Sequence, residues 1–292
     1  MSRLPTISEA IAEAAARIRD AGHTEERRAA RLLLANALGV DQTQLLVRSG
    51  DQLDGGIYDA YLGMVARRAA GEPLQHITGR QEFYGLDFVV TPDVLIPRPE
   101  TEFLIEQVLG LAEEVFQRTP LIVDIGTGSG CIAVALARGL PAARLIGTDI
   151  SAAALCIART NAERNGVGGH IEFLEGDLFA ALEGKGIKGT VDIIAANPPY
   201  VPANRPDSVE RQVRDYEPAV ALFGGEDGLT FYSRLLEGAP TYLKPGGYLV
   251  CEIGYSQLDA VRDIIDRTAF EFVEVTSDLQ GIPRTLTIRH EG

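Results

Sequence analysis

From about residue 120 the chain alternates short apolar runs with stretches of helical periodicity, and that alternation leaves few folds open. The runs cover 121–125, 144–148, 171–174, 191–195 and 248–253, and helical stretches separate the first four, most clearly over 131–138 and 152–165. Strands apolar on both faces and joined through helices predict a parallel sheet covered on both sides. A further helix over 257–267 leads to two closely spaced strands, 271–275 and 284–289, which predict an antiparallel hairpin at the sheet edge. The expected class is α/β: a Rossmann-like, mostly parallel sheet with an antiparallel edge hairpin.

The first 74 residues read differently. Thr6-Ile7-Ser8-Glu9 fits a capping box, in which a hydroxyl and a carboxylate satisfy free N–H groups at a helix start. Ile7, Ile11, Ala14, Ala15 and Ile18 follow at helical spacing. A second helix carries Leu33, Leu34 and Leu38 and ends at Gly39. Asp41 caps a third running to Val47, and a fourth holds Ile57, Tyr61, Val65 and Arg68. Residues 1–74 are therefore expected to form a small four-helix bundle with no catalytic motif, used for substrate recognition. Residues 75–95 read as a β-hairpin linker, because 83–90 is aromatic and β-branched around Gly85. Residues 96–292 remain for the sheet domain that would hold the chemistry.

Charge narrows the choice of ligand. The formal net charge is -14 and the isoelectric point about 4.8. A nucleic-acid grip needs a basic face, and only Arg67-Arg68 and 205–214 offer one, so no direct nucleic-acid substrate is expected. Cys131, Cys156 and Cys251 lie far apart in apolar stretches and are expected to be buried small hydrophobes. His23, His76, His170 and His290 are as scattered, so no metal site is expected. No apolar run approaches membrane-spanning length and no signal pattern opens the chain, which predicts a cytoplasmic protein with no membrane partner.

Two motifs carry chemistry. The strand 121–125 empties into Gly126-Thr127-Gly128-Ser129-Gly130 and then a helix, whose free N–H groups and positive dipole end face a ligand. A nicotinamide fingerprint needs a third glycine where Cys131 stands. Asp124 beside the turn would repel a pyrophosphate and suits a cation, so S-adenosyl-L-methionine, with an ammonium, a sulfonium and no phosphate, fits the sign. Asp149 stands where an acid reaches ribose hydroxyls. Asp177 is placed to accept from the adenine amine, with Leu178 and Phe179 packing on the ring. Taken alone, both aspartates also read as ordinary turn formers.

The strand 191–195 runs into Asn197-Pro198-Pro199-Tyr200, and ligands of open α/β sheets bind at such carboxyl ends. A planar nitrogen with two N–H groups would be oriented by donating to the Asn197 side-chain oxygen and the Pro198 carbonyl, with the Tyr200 ring as a flat wall. That assigns catalysis to Asn197, Pro198 and Tyr200 and substrate binding to those three with Pro199. Positioning and electrostatics would then suffice for methyl transfer, without a general base. The motif alone does not separate a glutamine amide from an exocyclic amine of adenine, cytosine or guanine. A third reading, a cofactor-binding sensor or scaffold, is disfavoured by the intact motif.

With Ile96-Pro97-Arg98-Pro99-Glu100-Thr101-Glu102, the glycine turn, Asn197 to Tyr200, Glu252-Ile253-Gly254 and 278–284, the chain closely resembles the bacterial peptide chain release factor glutamine methyltransferases over nearly its full length. The resemblance implies methyl transfer from S-adenosyl-L-methionine to the glutamine of the Gly-Gly-Gln motif in class I release factors, the partners it predicts. It implies cofactor contacts at Gly126, Thr127, Gly128, Ser129, Gly130, Asp149 and Asn197. Some members of that family carry Trp at the position of Leu178. Arg98, Glu100 and Glu102 are expected at a helix start near the cofactor mouth. Residues 201–227, long for a connection, are expected to form a substrate-side lid.

Overall fold

The computed structural model describes residues 3–114 and 119–292, so residues 1–2 of the expected bundle lie outside the described residues. The chain divides into two compact units, Met1–Gly79 with Arg211–Tyr216, and Arg80–Glu210 with Glu217–Gly292. Among the described residues no helix is long and apolar enough to cross a membrane.

The first unit holds five consecutive helices: α1 (Ile7–Asp20), α2 (Glu26–Leu38), α3 (Gln42–Val47), α4 (Gly55–Ala69) and α5 (Leu74–Thr78). The capping box on α1 is formed, with Glu9 accepting from the Thr6 N–H at 2.7 Å. Asp41 and Gln44 repeat the device on α3. Ile7, Ile18, Leu33, Leu34, Tyr61 and Val65 close the core, and the buried Tyr61 hydroxyl donates to the Ala30 carbonyl at 3.0 Å. Helix α5 was not expected. Its five residues are too few to show a period, and the hairpin consequently begins only at Arg80.

The second unit opens with β1 (Arg80–Phe83) and β2 (Leu86–Val89), joined by Tyr84 and Gly85, both at positive φ. That pair of conformations matches the twist of a two-residue hairpin. Asn161, fully buried, fastens β2 by exchanging bonds of 2.7 and 3.0 Å with the Val89 backbone. The remaining elements are α6 (Thr101–Glu114), β3 (Leu121–Ile125), α7 (Cys131–Gly139), β4 (Arg144–Asp149), α8 (Ala152–Arg164), β5 (Ile171–Glu175), β6 (Val191–Ala196), α9 (Arg211–Tyr216), α10 (Ala219–Leu222), α11 (Thr230–Tyr242), β7 (Leu243–Glu252), α12 (Leu258–Ile265), β8 (Phe270–Ser277) and β9 (Pro283–His290).

Seven strands form one sheet in the order β5-β4-β3-β6-β7-β9-β8, parallel through β7 and antiparallel at β9 and β8. This is the Rossmann-like sheet with an edge hairpin that the alternation implied. Alternate residues feed two cores. Ile122, Leu145 and Ile193 meet α6, α7 and α8, while Val123, Ile146 and Ile194 meet α11 and α12. The chain winds away from β3 in one direction and resumes at β6 in the other, so a crevice opens where β3 and β6 end side by side, at the switch point where such sheets bind ligands.

Strand β7 begins five residues before the apolar run that announced it. Lys244-Pro245-Gly246-Gly247 reads as a turn in sequence, but pairing already starts at Val191↔Leu243 and shifts register before Ile193↔Tyr248. The segment 201–227 is folded rather than loose. Val201 donates to Leu222 and Gly224 donates back to Val201, both at 2.9 Å, and α9 and α10 lie between. Cys156 is exposed, contrary to the expectation for all three cysteines, because it falls on the outer side of α8. Cys251 is buried and Cys131 half-buried.

Candidate active site

The turn after β3 folds back on the end of β4. The N–H groups of Gly126 and Thr127 both donate to the Thr148 carbonyl, at 2.9 and 2.8 Å. Gly126 and Gly128 hold φ of +75° and +53°, a region that costs an L side chain about 1 kcal/mol or more. No protein atom lies within 4 Å of a Cβ at Gly126, whereas one at Gly130 would meet Ala158 Cα at 3.1 Å. The first two glycines thus leave room on the ligand side, and the third lets α7 and α8 pack closely.

A cavity lies against this turn. Gly126, Thr127, Gly128 and Ser129 line it with Asp149, Asp177, Leu178, Asn197, Pro198 and Pro199. Gly130 and Tyr200, expected with them, are not among the lining residues. The Asp149 carboxylate is held at the end of β4 by the N–H groups of Gly128 at 2.8 Å and Ser151 at 2.9 Å. It is a turn former and a cavity wall at once. Asp177 also lines the cavity, but its carboxylate is engaged by Arg234 at 2.7 Å, so an adenine amine would share it. Leu178 reaches the wall from a positive φ of 50°. Phe179 does not line the cavity; its ring stacks on Tyr242 with centroids 5.4 Å apart.

Asp124 departs from its expected place. It is fully buried, accepts from the Thr127 hydroxyl at 2.6 Å, and is not a lining residue. Burial pushes its carboxyl up to about 7. The acidic groups on the wall are instead Asp93, Asp149 and Asp177, opposed by Arg98 and Arg234. Three carboxylates on the wall of the cleft and no phosphate-sized cluster of cations fit a ligand that carries positive charge and hydroxyls.

At the end of β6 the two prolines keep the backbone extended, and Asn197 turns its side chain toward α6. Its Nδ2 donates to Thr101 Oγ1 at 3.0 Å, and Thr101 donates to Glu252 at 2.7 Å. No hydrogen bond among the described residues engages Asn197 Oδ1. Tyr200 points elsewhere: its hydroxyl donates to the other Glu252 oxygen at 3.1 Å. Burial and that neighbouring carboxylate push the phenol far up, so it stays protonated.

The segment 96–102 is tied in by side chains. Glu217 is buried and accepts from the Ile96 N–H at 3.0 Å and from the Arg98 guanidinium at 2.6 Å. Arg98 and Thr101 line the cavity. Glu102 instead accepts from the Tyr84 N–H at 3.0 Å. Pro218, Val220 and Ala221 of the 201–227 segment form another part of the wall, as do Phe231 and Leu235 of α11.

Sequence reasoning passed over Gly224 and Gly228. A Cβ on Gly224 would overlap the Pro199 carbonyl oxygen, and one on Gly228 the Tyr200 carbonyl oxygen. The signal was present as Gly-Gly-Glu-Asp-Gly over 224–228, but it reads as an ordinary loop without the facing backbone.

Known proteins resemble the chain over nearly its full length. A family described as "PrmC N-terminal domain" matches residues 9–79, and one described as "Methyltransferase small domain" matches 100–214. A release factor glutamine methyltransferase from Koribacter versatilis is 44% identical over 286 residues, 97% of this chain and 98% of the relative. One from Geobacter sulfurreducens is 44% identical over 254 residues, 87% and 86% of the two chains. In fold, a methyltransferase from Pyrococcus furiosus superposes with a TM-score of 0.52 at 20% identity, over 72% of this chain and 91% of that one.

Proposed function

The chain belongs to the release factor glutamine methyltransferases, and we propose that it moves a methyl group from S-adenosyl-L-methionine to the side-chain amide nitrogen of the glutamine in the Gly-Gly-Gln motif of class I release factors. The observation that carries this reading is Asn197: its N–H side is committed to Thr101 while Oδ1 stays available at the cavity wall.

When bound, S-adenosyl-L-methionine supplies a methyl group already activated on a sulfonium. Gly126, Thr127, Gly128 and Ser129 would hold the amino-acid end along the open side of the glycine turn, Asp149 the ribose hydroxyls, and Asp177 with Leu178 the adenine. The glutamine amide would donate its two N–H groups to Asn197 Oδ1 and the Pro198 carbonyl. Both acceptors favour positive charge developing on that nitrogen, which then loses a proton to water. Tyr200 keeps the loop in shape through Glu252 rather than walling the substrate. The helical unit recognises the body of the release factor, and the cytoplasm, where release factors act on ribosomes, is the place of the reaction.

The test is transfer of labelled methyl to an unmodified class I release factor, with and without its Gly-Gly-Gln glutamine replaced. Label that disappears with the glutamine supports the reading. Label that persists moves the methyl acceptor to another group, and label on RNA instead of the factor overturns the substrate class.

A further inference from the structure

The amide of Asn197 rests on a chain of hydroxyls that ends on a carboxylate, and the direction of that chain is fixed. Glu252, 1% exposed at the end of β7, accepts from Thr101 at one oxygen and from Tyr200 at the other. Thr101 is buried at the first position of α6. Its single hydroxyl proton goes to Glu252, so toward Asn197 it can only accept. An inverted Asn197 amide would set Oδ1 against an oxygen with no proton to offer.

We propose that Glu252, acting through Thr101, is the positioning residue that presents the oxygen rather than the NH2 of Asn197 to the methyl acceptor. The inference rests on the reading that Asn197 accepts from a substrate amide. An asparagine at a loop mouth can show either end, and only the oxygen can receive an N–H. Fixing the orientation before the substrate arrives removes that choice from the barrier. The same carboxylate, through Tyr200, fastens the other end of Asn197-Pro198-Pro199-Tyr200. One buried group therefore holds both ends of the motif.

The chain keeps its direction only while Glu252 is ionised. Once protonated on the oxygen that faces Thr101 it donates there, Thr101 is released to donate toward Asn197, and the amide can turn over. Burial raises the Glu252 carboxyl, its two hydroxyl donors oppose that, Glu100 raises it further and Arg284 lowers it. The other titratable groups that feel its charge are Tyr200, Tyr232, Cys131 and Cys251, all pushed upward and so neutral. An acid limb in the rate is thus expected from Glu252.

Thr101→Val keeps the shape and removes the hydroxyl, while Thr101→Ser keeps the hydroxyl. Two measurements are made on the full-length protein. The first is the ¹⁵N signal of the Asn197 side-chain amide, assigned by its absence in Asn197→Ala. We expect protected amide protons in the wild type and in Thr101→Ser, and free exchange in Thr101→Val. The second is methyl transfer to the release factor, where Thr101→Val should lower kcat about tenfold to a hundredfold and recover in Thr101→Ser. An amide signal unchanged in Thr101→Val, or an undiminished kcat, overturns the inference. If Thr101→Val does not fold, Glu252→Gln decides: its acid limb should vanish, and a limb that persists overturns the inference. A wild type that transfers no methyl to the factor sinks the functional reading instead, and the amide signal then settles the inference by itself.

Discussion

Asp124 and Glu252 are both sealed inside the catalytic unit, and each is met by a threonine hydroxyl. For Asp124 the consequence is a pH-dependent stability. Its carboxyl lies at about 7 in the fold against an ordinary 3.8, so the folded state binds its proton more tightly than the unfolded chain. The contribution is fully present below pH 3.8 and is lost as pH rises through 7. Asp124→Asn keeps the acceptor for Thr127 without the charge. Urea denaturation of both proteins from pH 4 to 8 should show the variant gaining on the wild type by a few kcal/mol, on the order of 1.4 per pKa unit. A constant difference would assign the buried charge elsewhere. Asn197→Ala should abolish transfer while leaving Tm within about 2 °C, since the side chain meets the cavity rather than the core. Gly128→Val fills open ligand space from a strained φ and should weaken S-adenosyl-L-methionine binding at least tenfold by calorimetry; undiminished affinity would mean that the turn is misread.

The glycines around Asn197-Pro198-Pro199-Tyr200 act at the level of the loop. Gly228 and Gly246 have nearly equal φ, +80° and +76°, but only a Cβ at Gly228 would strike the Tyr200 backbone. Alanine at Gly246 should cost about 1 kcal/mol of stability from strain; Gly228→Ala adds the overlap with Tyr200, should cost more, and alone should also lose transfer activity. Equal kinetics in the two variants would show that the loop tolerates displacement. This difference also marks how much the sequence revealed. Alternation and capping made the strands β3 to β9, the helices α1 to α4 and the switch-point crevice legible, because periodicity encodes which side of an element is buried. Contacts between distant segments were not legible. Nothing local says that Asp124 turns under its own glycine turn, that Phe179 leaves the cavity for Tyr242, or that Glu217 crosses to Arg98. Five-residue α5 and the Lys-Pro-Gly-Gly start of β7 failed for the opposite reason, since their local signals are weak or point to a turn.

At the scale of the whole molecule, the recognition role proposed for the helical unit is tested by removal. Without residues 1–72, KM should rise far more for an intact release factor than for a short peptide bearing its Gly-Gly-Gln loop. Equal increases would leave the unit a scaffold. The truncation also strips α9 of neighbours, because Gln212 and Tyr216 bond Arg68 at 3.1 Å and the Ala70 carbonyl at 3.4 Å. The polypeptide therefore passes between the units three times, at 79/80, 210/211 and 216/217. A domain that was merely appended would be joined at one seam and could be shed or exchanged by a single recombination event. Here such an event would strand six residues in the middle of the catalytic sequence. The two parts are consequently expected to be inherited together, with compensating changes in 211–216 whenever the bundle drifts.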